Sequence, residues 1–238
     1  MSHENNVISH YQSELIVQDY DKLRFLTFGG KLVDTQEKEI VSKFCSNLDG
    51  DYILDVGTGT GRFSSVFQKK HFIGIDSSAL MLTKAKKRMM VVCCDMKHLP
   101  FKNECFPVAI SIRIFIRIKN PKDYFEEVNR VLKKGGVFVF DTSNKHSIGR
   151  LSNYFSRDPF HTFFSTKEVT KGIELAKFTV ERKEQVFILP RGFYQAIDGR
   201  SARILWKCEV LFKTVLQSIA NTIFWKMRKC DAIKKQTG

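Results

Sequence analysis

The feature that most constrains this chain is a glycine-rich segment set between an apolar run and a helical pattern. Gly57, Gly59 and Gly61 follow the run at residues 52–56, which is typical of a buried strand. Glycine has no Cβ and tolerates positive φ, so such a turn lets the backbone approach a ligand closely. The G-x-G-x-G spacing differs from the G-x-G-x-x-G of dinucleotide folds, where a helix N-terminus holds a pyrophosphate. The segment therefore predicts a ligand-binding turn suited to a ligand without a phosphate.

After residue 50, short apolar runs alternate with helical segments. This is the order of βαβ units and predicts an α/β fold, with a doubly wound and mostly parallel sheet. The predicted core strands are residues 52–56, 71–75, 89–93, 107–112 and 137–140. The predicted helices are residues 62–68, 78–86 and 121–132, the last ended by Gly135 and Gly136, with a further helix at 167–175 and a strand at 178–189.

The rest of the chain is assigned from its polar and helical patterns. Residues 1–34 are predicted to form an N-terminal arm or lid. Thr35 and the three- and four-residue spacing of the apolar residues after it predict a capped helix up to about residue 48. Residues 35–200 are predicted to form the main domain, with a substrate-binding insertion at 142–165. Residues 201–238 are predicted to form an amphipathic helix, covering about 201–227, packed on or beside that domain.

Composition narrows the classes of function. The 39 Lys and Arg against 25 acidic residues give a net charge of +14, which favours nucleic acid or anionic lipid as partners. A soluble enzyme from an organism with Lys-rich proteins would show the same charge. The sequence has no uncharged apolar stretch of about 18 residues and no secretory signal pattern, so we expect a cytoplasmic protein, with peripheral membrane contact as an option. The six cysteines show no regular framework, so we predict reduced thiols and no metal site.

Acidic residues follow the next two predicted strands. Asp76 stands 19 residues after Gly57, where a carboxylate can accept hydrogen bonds from both hydroxyls of a ribose. Its alternative role is to cap the helix that follows. Asp95 ends the third predicted strand, where it is suited to accept an adenine amino group while Met96 packs on the ring. Met81 is either a contact for the other face of that ring or a core residue.

Several segments between residues 20 and 145 carry a family resemblance. They are residues 54–63 (LDVGTGTGRF), 74–82 (GIDSSALML), 94–101 (CDMKHLPF), 119–121 (KNP) and 126–136 (EEVNRVLKKGG). In these segments the chain resembles class I S-adenosylmethionine-dependent methyltransferases, especially the small-molecule branch that includes the ubiquinone and menaquinone methyltransferases. The resemblance implies a seven-stranded Rossmann-like sheet with helices on both faces, and S-adenosylmethionine as the cofactor.

The resemblance and the strand-end argument together give a candidate cofactor site. Its residues are Asp55, Gly57, Thr58, Gly59, Gly61, Asp76, Ser77, Met81, Asp95, Met96 and Arg24. Within this set the resemblance implies that Asp55 orients the glycine turn. It also places Arg24 near the amino-acid end of the cofactor, where a guanidinium would pair with the carboxylate. A surface position in the N-terminal arm is the alternative for Arg24.

The catalytic residues are less evident. Methyl transfer requires the acceptor atom in line with the methyl group, and a base only where the acceptor must lose a proton. In many relatives a histidine follows the fourth strand, and Arg117 stands at that place in this chain. Arg117 or Arg113 is suited to pair an anionic group of the substrate, unless both are solvated cations at an exposed strand end. His146 and His161, in the predicted insertion, are the other base candidates or are surface histidines.

The predicted methyl acceptor is a small molecule or is lipid-like. Aromatic residues of the insertion are suited to close an apolar pocket, namely Tyr154, Phe155, Phe160, Phe163 and Phe164. The apolar and basic residues of the predicted terminal helix indicate either packing on the sheet or contact with an anionic membrane. An RNA acceptor is supported only by the positive charge. A cofactor-binding module without turnover would account for the missing histidine.

Overall fold

The computed structural model describes residues 9–46, 48, 50–67, 70–150, 161–211 and 217–230. The helices are α1 (Glu14–Asp21), α2 (Phe28–Cys45), α3 (Ala79–Ala85), α4 (Lys122–Val131), α5 (Thr166–Leu175), α6 (Arg191–Ala196) and α7 (Gly199–Leu211). Shorter turns are a π-helix at Lys22–Leu26 and 3₁₀-helices at Arg62–Ser65, Phe115–Arg117 and Gln217–Ile219. The strands are β1 (Tyr52–Val56), β2 (His71–Asp76), β3 (Met90–Cys93), β4 (Phe106–Ser111), β5 (Leu132–Asn144), β6 (Phe163–Phe164), β7 (Phe178–Val186) and β8 (Thr222–Lys229).

The strands form one sheet in the order β3-β2-β1-β4-β5-β8-β7, with β6 beside β5. The pairs are parallel except those of β8, which runs antiparallel to both β5 and β7. Buried apolar residues of α4 and α5 cover one face of the sheet, and those of α2 cover the other. The predicted mostly parallel, seven-stranded Rossmann-like sheet with helices on both faces is confirmed, and the two-residue β6 is an addition to it.

The order of the sheet places a crevice next to β1. This strand pairs with β2 on one side and with β4 on the other, so the chain connections leave it in opposite directions. In open α/β sheets, ligands bind outside the carboxyl ends of the strands at such a switch point. The glycine segment after β1 and the residues after β4 therefore border the same crevice.

The first long helix begins earlier than predicted. Helix α2 starts at Phe28, because the side chain of Thr27 caps it by accepting a hydrogen bond from the Gly30 amide at 3.1 Å. The predicted start at Thr35 was wrong, and the predicted end of the arm at residue 34 falls inside this helix. Apolar periodicity missed the first turns because Gly30 is buried there without a side chain. An added Cβ on it would lie 2.5 Å from a backbone carbonyl oxygen.

The C-terminal segment is a helix followed by a strand, so the prediction of one helix over residues 201–227 was wrong. Helix α7 is described over Gly199–Leu211, and residues 222–229 form β8, which inserts between β5 and β7. Because the first part of β8 is buried on both faces, apolar side chains occupy four of the five positions from Ile223 to Met227. Such a run has no clear period and resembles a buried helix in sequence. Trp225 lies at its centre, fully buried, and donates a hydrogen bond to the hydroxyl of Thr142 at 2.9 Å.

The described parts of the predicted insertion extend the sheet. Strand β5 continues to Asn144, and Phe163 and Phe164 pair with its end as β6. Phe164 joins the hydrophobic core and does not face the crevice as predicted. The remaining aromatic residues predicted for a substrate pocket lie outside the described residues, and they are Tyr154, Phe155 and Phe160.

Two helix boundaries also differ from the prediction. The segment after the glycine turn is a short 3₁₀-helix at Arg62–Ser65 in place of the predicted helix over 62–68. Helix α4 ends at Val131, before the glycine pair that was predicted to stop it. Gly135, at φ +67°, lies in β5 where the pairing with β4 shifts register, so the pair accommodates a β-bulge.

The described part of the chain contains no helix that is long and apolar enough to cross a membrane. Among the same residues, no three His, Cys, Asp or Glu side chains are grouped so that they could hold a metal ion. The six cysteines are free thiols.

Candidate functional site

A cavity lies at the carboxyl ends of β1, β2 and β4, at the switch point of the sheet. On one side it is lined by the glycine segment and the end of β2, with Asp55, Gly57, Thr58, Gly59, Thr60, Arg62, Phe63, Asp76, Ser77, Met81 and Met96. On the other side it is lined by residues after β4 and by Tyr124, with Ile112, Arg113, Ile114, Arg117 and Ile118. Tyr11, Tyr20 and Phe25 complete the wall from the N-terminal arm. The structure therefore brings most of the sequence-predicted cofactor residues together.

The glycine segment is held in a conformation that only glycine adopts easily. Gly57, Gly59 and Gly61 have φ of +75°, +56° and +76°, in the left-handed region that costs other residues about 1–2 kcal/mol each. The amides of Gly57 and Thr58 both donate to the Ile75 carbonyl at 2.8 Å, which ties the turn to the end of β2. At Gly57 an added Cβ would lie 2.3 Å from Ile114, so the turn also packs against the opposite wall.

Gly61 has a different role from the other two glycines. It does not line the cavity. An added Cβ there would lie 3.1 Å from Met89 and 3.2 Å from Ala85, so Gly61 allows the turn to approach the end of α3. At Gly59, by contrast, an added Cβ would meet nothing within 4 Å and would face the open cavity.

The carboxylate of Asp76 is fixed at the end of β2. One oxygen accepts a hydrogen bond from the Gly59 amide at 2.9 Å and the other accepts from the Ser78 amide at 2.9 Å. Burial raises the pKa of Asp76, and the hydrogen bonds from the Ser78, Gly59 and Ser77 amides oppose that rise. Asp76 thus lines the cavity and accepts from the amide of Ser78, but it is not the helix cap that the alternative proposed. The true cap of α3 is the side chain of Ser78, which accepts from the Met81 amide at 3.2 Å.

Asp55 lies below the glycine segment, where its carboxylate accepts a hydrogen bond from the Thr58 hydroxyl at 2.7 Å. Its side chain is buried. Burial raises the pKa of Asp55 to about 7, with the Thr58 hydrogen bond and the charge of Arg62 opposing the rise and the charge of Asp76 adding to it. Asp55 is therefore placed to hold the turn, and its protonation is balanced near neutral pH.

The predicted adenine contacts divide into lining and non-lining residues. Met81 and Met96 both line the cavity, as does Ser77. Asp95 does not line it, and its side chain remains 56% exposed. The carboxylate of Asp95 accepts a hydrogen bond from the Lys97 amide at 2.9 Å, which shapes the loop after β3.

The N-terminal arm is attached over the glycine segment. Asp21 accepts a hydrogen bond from the Thr60 hydroxyl at 2.7 Å, and the Tyr11 carbonyl accepts one from the Ser78 hydroxyl at 2.7 Å. Arg24, the predicted partner of the cofactor carboxylate, does not line the cavity. Its guanidinium stacks on the ring of Tyr20, 4.6 Å from the ring centre.

Arg113 and Arg117 line the cavity, so they are not solvated cations at an exposed strand end. Arg113 has φ +68°, and its amide donates to a carboxylate oxygen of Asp141 at 2.5 Å. Burial lowers the pKa of Arg113 to about 10, and the nearby charge of Arg191 contributes, so its side chain remains protonated at neutral pH. These arginines place positive charge on the wall opposite the glycine segment.

A buried ionic cluster below this wall was missed by the sequence analysis. The fully buried carboxylate of Glu37, on α2, lies 2.8 Å from the Arg191 guanidinium and also pairs with Arg62. Arg191 reaches Asp141 at 2.7 Å. Burial alone raises the pKa of Glu37, but the charges of Arg191, Arg62 and Arg113 lower it to about 2. The signal for this cluster in the sequence was the carboxylate of Glu37 on the apolar stripe of its helix.

The two histidines proposed as bases do not line the cavity. His146 is exposed. His161 lies 2.8 Å from the hydroxyl of Ser143, between side-chain Nε2 and Oγ, and stacks on the ring of Phe163 at 4.4 Å between ring centres. His146 follows the carboxyl end of β5 and His161 precedes β6, where the amide of the neighbouring Thr162 donates to the Ile116 carbonyl at 2.8 Å.

Comparisons with known proteins agree with this geometry. A family model described as a methyltransferase domain matches residues 54–140. Two uncharacterised proteins of Methanocaldococcus jannaschii are 36% and 33% identical to the chain over 143 residues each. These matches cover 59% and 56% of the chain and 53% and 68% of the relatives. The demethylmenaquinone methyltransferase of Thermotoga maritima is 28% identical over 152 residues, 59% of the chain and 65% of that enzyme. The chain thus spans about half to two thirds of the length of these relatives.

Solved structures share the fold at low sequence identity. The phosphoethanolamine N-methyltransferase 2 of Haemonchus contortus, solved with S-adenosylmethionine, superposes with a TM-score of 0.68 and 17% identity, over 97% of the chain and 60% of that protein. This similarity extends the comparison from the matched central segment to nearly the whole chain, at the level of fold.

Proposed function

The chain belongs to the class I S-adenosylmethionine-dependent methyltransferases, and we propose that it transfers the methyl group of this cofactor to a small-molecule or lipid-like acceptor. The observation that carries the proposal is the cavity at the switch point. The glycine segment and Asp76 border one side of it, and an apolar and cationic wall faces them. A donor and an acceptor can therefore be held opposite each other in one cavity.

The residues of the first side fit the parts of S-adenosylmethionine. Asp76 lines the cavity with a carboxylate suited to ribose hydroxyls, and Gly59 leaves open space above the turn. Met81 and Met96 offer apolar surface for the adenine. Asp55 lies where a cationic amino group would find a carboxylate. Of the residues that the resemblance gives to the cofactor, Gly57, Gly59 and Asp76 line the cavity. Asp95 and Arg24 do not line it, and Gly61 packs against Met89 and Ala85.

The chemistry asked of the protein is mainly positioning. The sulfonium of the bound cofactor supplies an activated methyl group, so the rate depends on how well the acceptor atom is held in line with it. The wall of Ile112, Ile114, Ile118 and Tyr124 is suited to orient an apolar part of the acceptor. Tyr11, Tyr20 and Phe25 of the N-terminal arm narrow the cavity from above, which favours a small or slender acceptor and gives the arm the role of a lid.

RNA is the second candidate acceptor, supported by the net charge of +14. The narrow lining by the arm favours it less, because an RNA base would have to be flipped out of its stack to enter. A binding module without turnover is the third alternative and predicts cofactor binding without methyl transfer.

Cofactor binding is tested first, by calorimetry with S-adenosylhomocysteine, the demethylated product. The wild-type protein should release or absorb measurable heat, and Asp76→Ala should weaken binding at least tenfold because the ribose loses its acceptor. Asp51→Ala is the matched control, since Asp51 is an exposed residue just before β1, at the opposite end of the strand from the cavity. Equal behaviour of wild type and Asp76→Ala without heat in either would exclude this cavity as a cofactor site.

The acceptor is tested next with methyl-labelled S-adenosylmethionine. The protein is incubated with separated small-metabolite, lipid, RNA and protein fractions, and transferred label is counted in each. Label in the metabolite or lipid fraction supports the proposal, and label in RNA alone would replace it with the second candidate. Binding of the cofactor without label in any fraction would favour the binding module.

A further inference from the structure

The wall opposite the glycine segment carries two arginines within an otherwise apolar surface. Arg113 and Arg117 lie on it together with Ile112, Ile114 and Ile118, so the cationic groups alternate with isoleucines. Because Ile114 packs against Gly57, this wall lies directly across from the proposed donor. A group bound by these arginines would therefore be brought to the side of the cavity where the acceptor belongs.

Arg113 is held in place by the fold, although its backbone conformation is unfavourable. Its φ of +68° is in the left-handed region, which non-glycine residues rarely adopt unless the surroundings impose it. The imposing contact is the Asp141 carboxylate, which accepts from the Arg113 amide at 2.5 Å and pairs with Arg191 through its other oxygen. Such a strained backbone conformation is typical of a binding site, where a side chain must be held at one place.

The guanidinium of Arg113 has N–H donors that make no hydrogen bond. Its side chain is only 15% exposed, and its Nη1 lies 3.7 Å from Glu37, which is beyond hydrogen-bond distance. Within the described residues, its Nε and Nη1 are buried and donate no hydrogen bond. The nearby carboxylate of Glu37 is already shared with Arg62 and Arg191. A buried guanidinium with unused donors beside a cavity is suited to bind an anion, and a planar carboxylate matches its fork.

The described lining also contains no histidine or lysine that would act as a base. Its titratable groups are two carboxylates on the donor side, Asp55 and Asp76, together with three tyrosines and the arginines. A hydroxyl or phenol acceptor would have to lose a proton during methyl transfer. A carboxylate is already ionised at neutral pH and attacks without losing one, so it is the acceptor that this wall can serve without further groups.

We infer that the methyl acceptor is a carboxylate bound by Arg113, with Arg117 on the same wall, and that the product is a methyl ester. This inference rests on the proposed function. A carboxylate oxygen uses a lone pair to form the new O–CH₃ bond, while the S–CH₃ bond breaks and its electron pair stays on sulfur. The products are the ester and neutral S-adenosylhomocysteine, and no proton is released. Arg113 binds and orients the acceptor, and the isoleucines hold the apolar carbon chain next to its carboxylate.

The bond type can be tested before the acceptor is identified. Methyl esters hydrolyse in mild base and release methanol, whereas methyl ethers and N-methyl or C-methyl groups do not. Fractions labelled with methyl-labelled S-adenosylmethionine are treated with dilute alkali, and volatile label is collected. We expect most of the transferred label to be volatile, from whichever of the metabolite, lipid, RNA or protein fractions contains it. Alkali-stable label would overturn the inference and leave the proposed methyl transfer intact.

Variants of Arg113 test the binding residue. Arg113→Met should lower transfer at least 100-fold while the affinity for S-adenosylhomocysteine changes less than threefold, and Arg113→Lys should restore part of the activity by keeping the charge. Arg200→Met is the matched control, because Arg200 is exposed on α7 and outside the cavity lining. If Arg113→Met weakened S-adenosylhomocysteine binding as strongly as transfer, Arg113 would bind the donor, and the inference would be wrong.

A binding measurement gives a result even if no fraction accepts a methyl group. The protein saturated with S-adenosylhomocysteine is titrated with hexanoate, hexanol and hexylamine, and the melting temperature is recorded. Hexanoate alone should raise it, and Arg113→Met should abolish the rise. An equal effect of the three ligands, or no effect of hexanoate, would contradict a carboxylate site, whereas loss of S-adenosylhomocysteine binding itself would contradict the proposed function.

Discussion

The two sides of the cavity are built on different principles. The proposed donor side is a short stretch of backbone between β1 and α3, held by positive φ angles and by amides that donate to Ile75 and Asp76. The proposed acceptor side is a wall of side chains whose arginines are supported from distant parts of the chain, by Glu37 on α2 and Asp141 on β5. The donor side therefore depends on local backbone conformation, and the acceptor side on charge balance in the core.

The two sides should therefore respond to mutation in different ways. A substitution in the glycine turn disrupts the turn by steric overlap at the added atom, and this effect does not depend on pH. A buried ionic cluster fails when one charge is removed and its partners remain buried without compensation. The effects of mutations on the two sides should thus differ in magnitude, in how far they extend through the structure and in pH dependence.

The largest effect is expected for Glu37→Gln. Its carboxylate is fully buried and is paired with Arg62 and Arg191, so its removal should lower the free energy of unfolding by about 3–5 kcal/mol. Urea denaturation at pH 7 measures this, and Glu39→Gln, exposed on the same helix, is the control. A loss below about 1 kcal/mol, as is usual for surface pairs, would show that the cluster does not support the acceptor side.

The same residue gives a pH signature. The pKa of Glu37 is lowered to about 2: burial raises it, and the charges of Arg191, Arg62 and Arg113 more than offset this. A lowered carboxyl pKa contributes stability that is present above its ordinary value near 4.5 and is lost as the pH falls towards 2. Wild type should lose stability in that window, and Glu37→Gln should lose less there.

The next largest effect concerns the glycine turn. Gly57→Ala should destabilise the cofactor-free protein by about 1–3 kcal/mol more than Gly59→Ala, which is the cost of overpacking. Both substitutions strain a positive φ, but only the Cβ at position 57 would meet Ile114, at 2.3 Å. Thermal unfolding of the two variants without ligand measures the difference. The loss of stability in each variant should be the same at pH 5 and at pH 8. Equal stabilities of the two variants would mean that the two walls are not in contact in solution.

The contrast between the sides also explains what could be predicted from sequence. The donor side uses residues close together in the chain, and strand ends and glycine spacing point to them, so the sequence located the first strands and selected Gly57 and Asp76, which line the cavity. Gly61 and Arg24 were assigned to ligand contact, but the cavity lining does not include them. The reason is that a motif gives the position of a residue along the chain, but it does not show which neighbouring groups that residue contacts.

The acceptor side could not be predicted in the same way. Glu37, Asp141 and Arg191 meet only because α2, β5 and α6 pack together, and no short-range pattern links them. Strand β8 was predicted as helix for a related reason, since its residues are buried on both faces and lose the period that distinguishes strand from helix. Contacts between distant elements were the part that required the structure.

A smaller effect is expected for Asp95→Ala, which tests how far the donor side extends along the sheet. Asp95 is 56% exposed and does not line the cavity, so its loss should weaken S-adenosylhomocysteine binding by about 1 kcal/mol or less, the worth of one solvated hydrogen bond. Calorimetry measures the affinity, with Asp51→Ala as the control. A loss as large as that of Asp76→Ala would show that the loop after β3 closes on the adenine when ligand binds.

At Asp55 we expect a change in the pH dependence of stability. Burial raises its pKa to about 7, and a raised carboxyl pKa means that the folded state holds a proton that the unfolded state releases. Stability should therefore fall as the pH rises from about 4 to about 7. Asp55→Asn keeps an oxygen for the Thr58 hydroxyl and removes the titration, so it should gain stability relative to wild type as the pH rises through this range. Melting curves at pH 5 and 8 measure the gain, with Asp51→Asn as the control.

Parallel pH profiles of wild type and Asp55→Asn would mean that Asp55 is ionised throughout. The donor side would then carry a fixed negative charge opposite the arginines, and charge would contribute to both sides of the cavity.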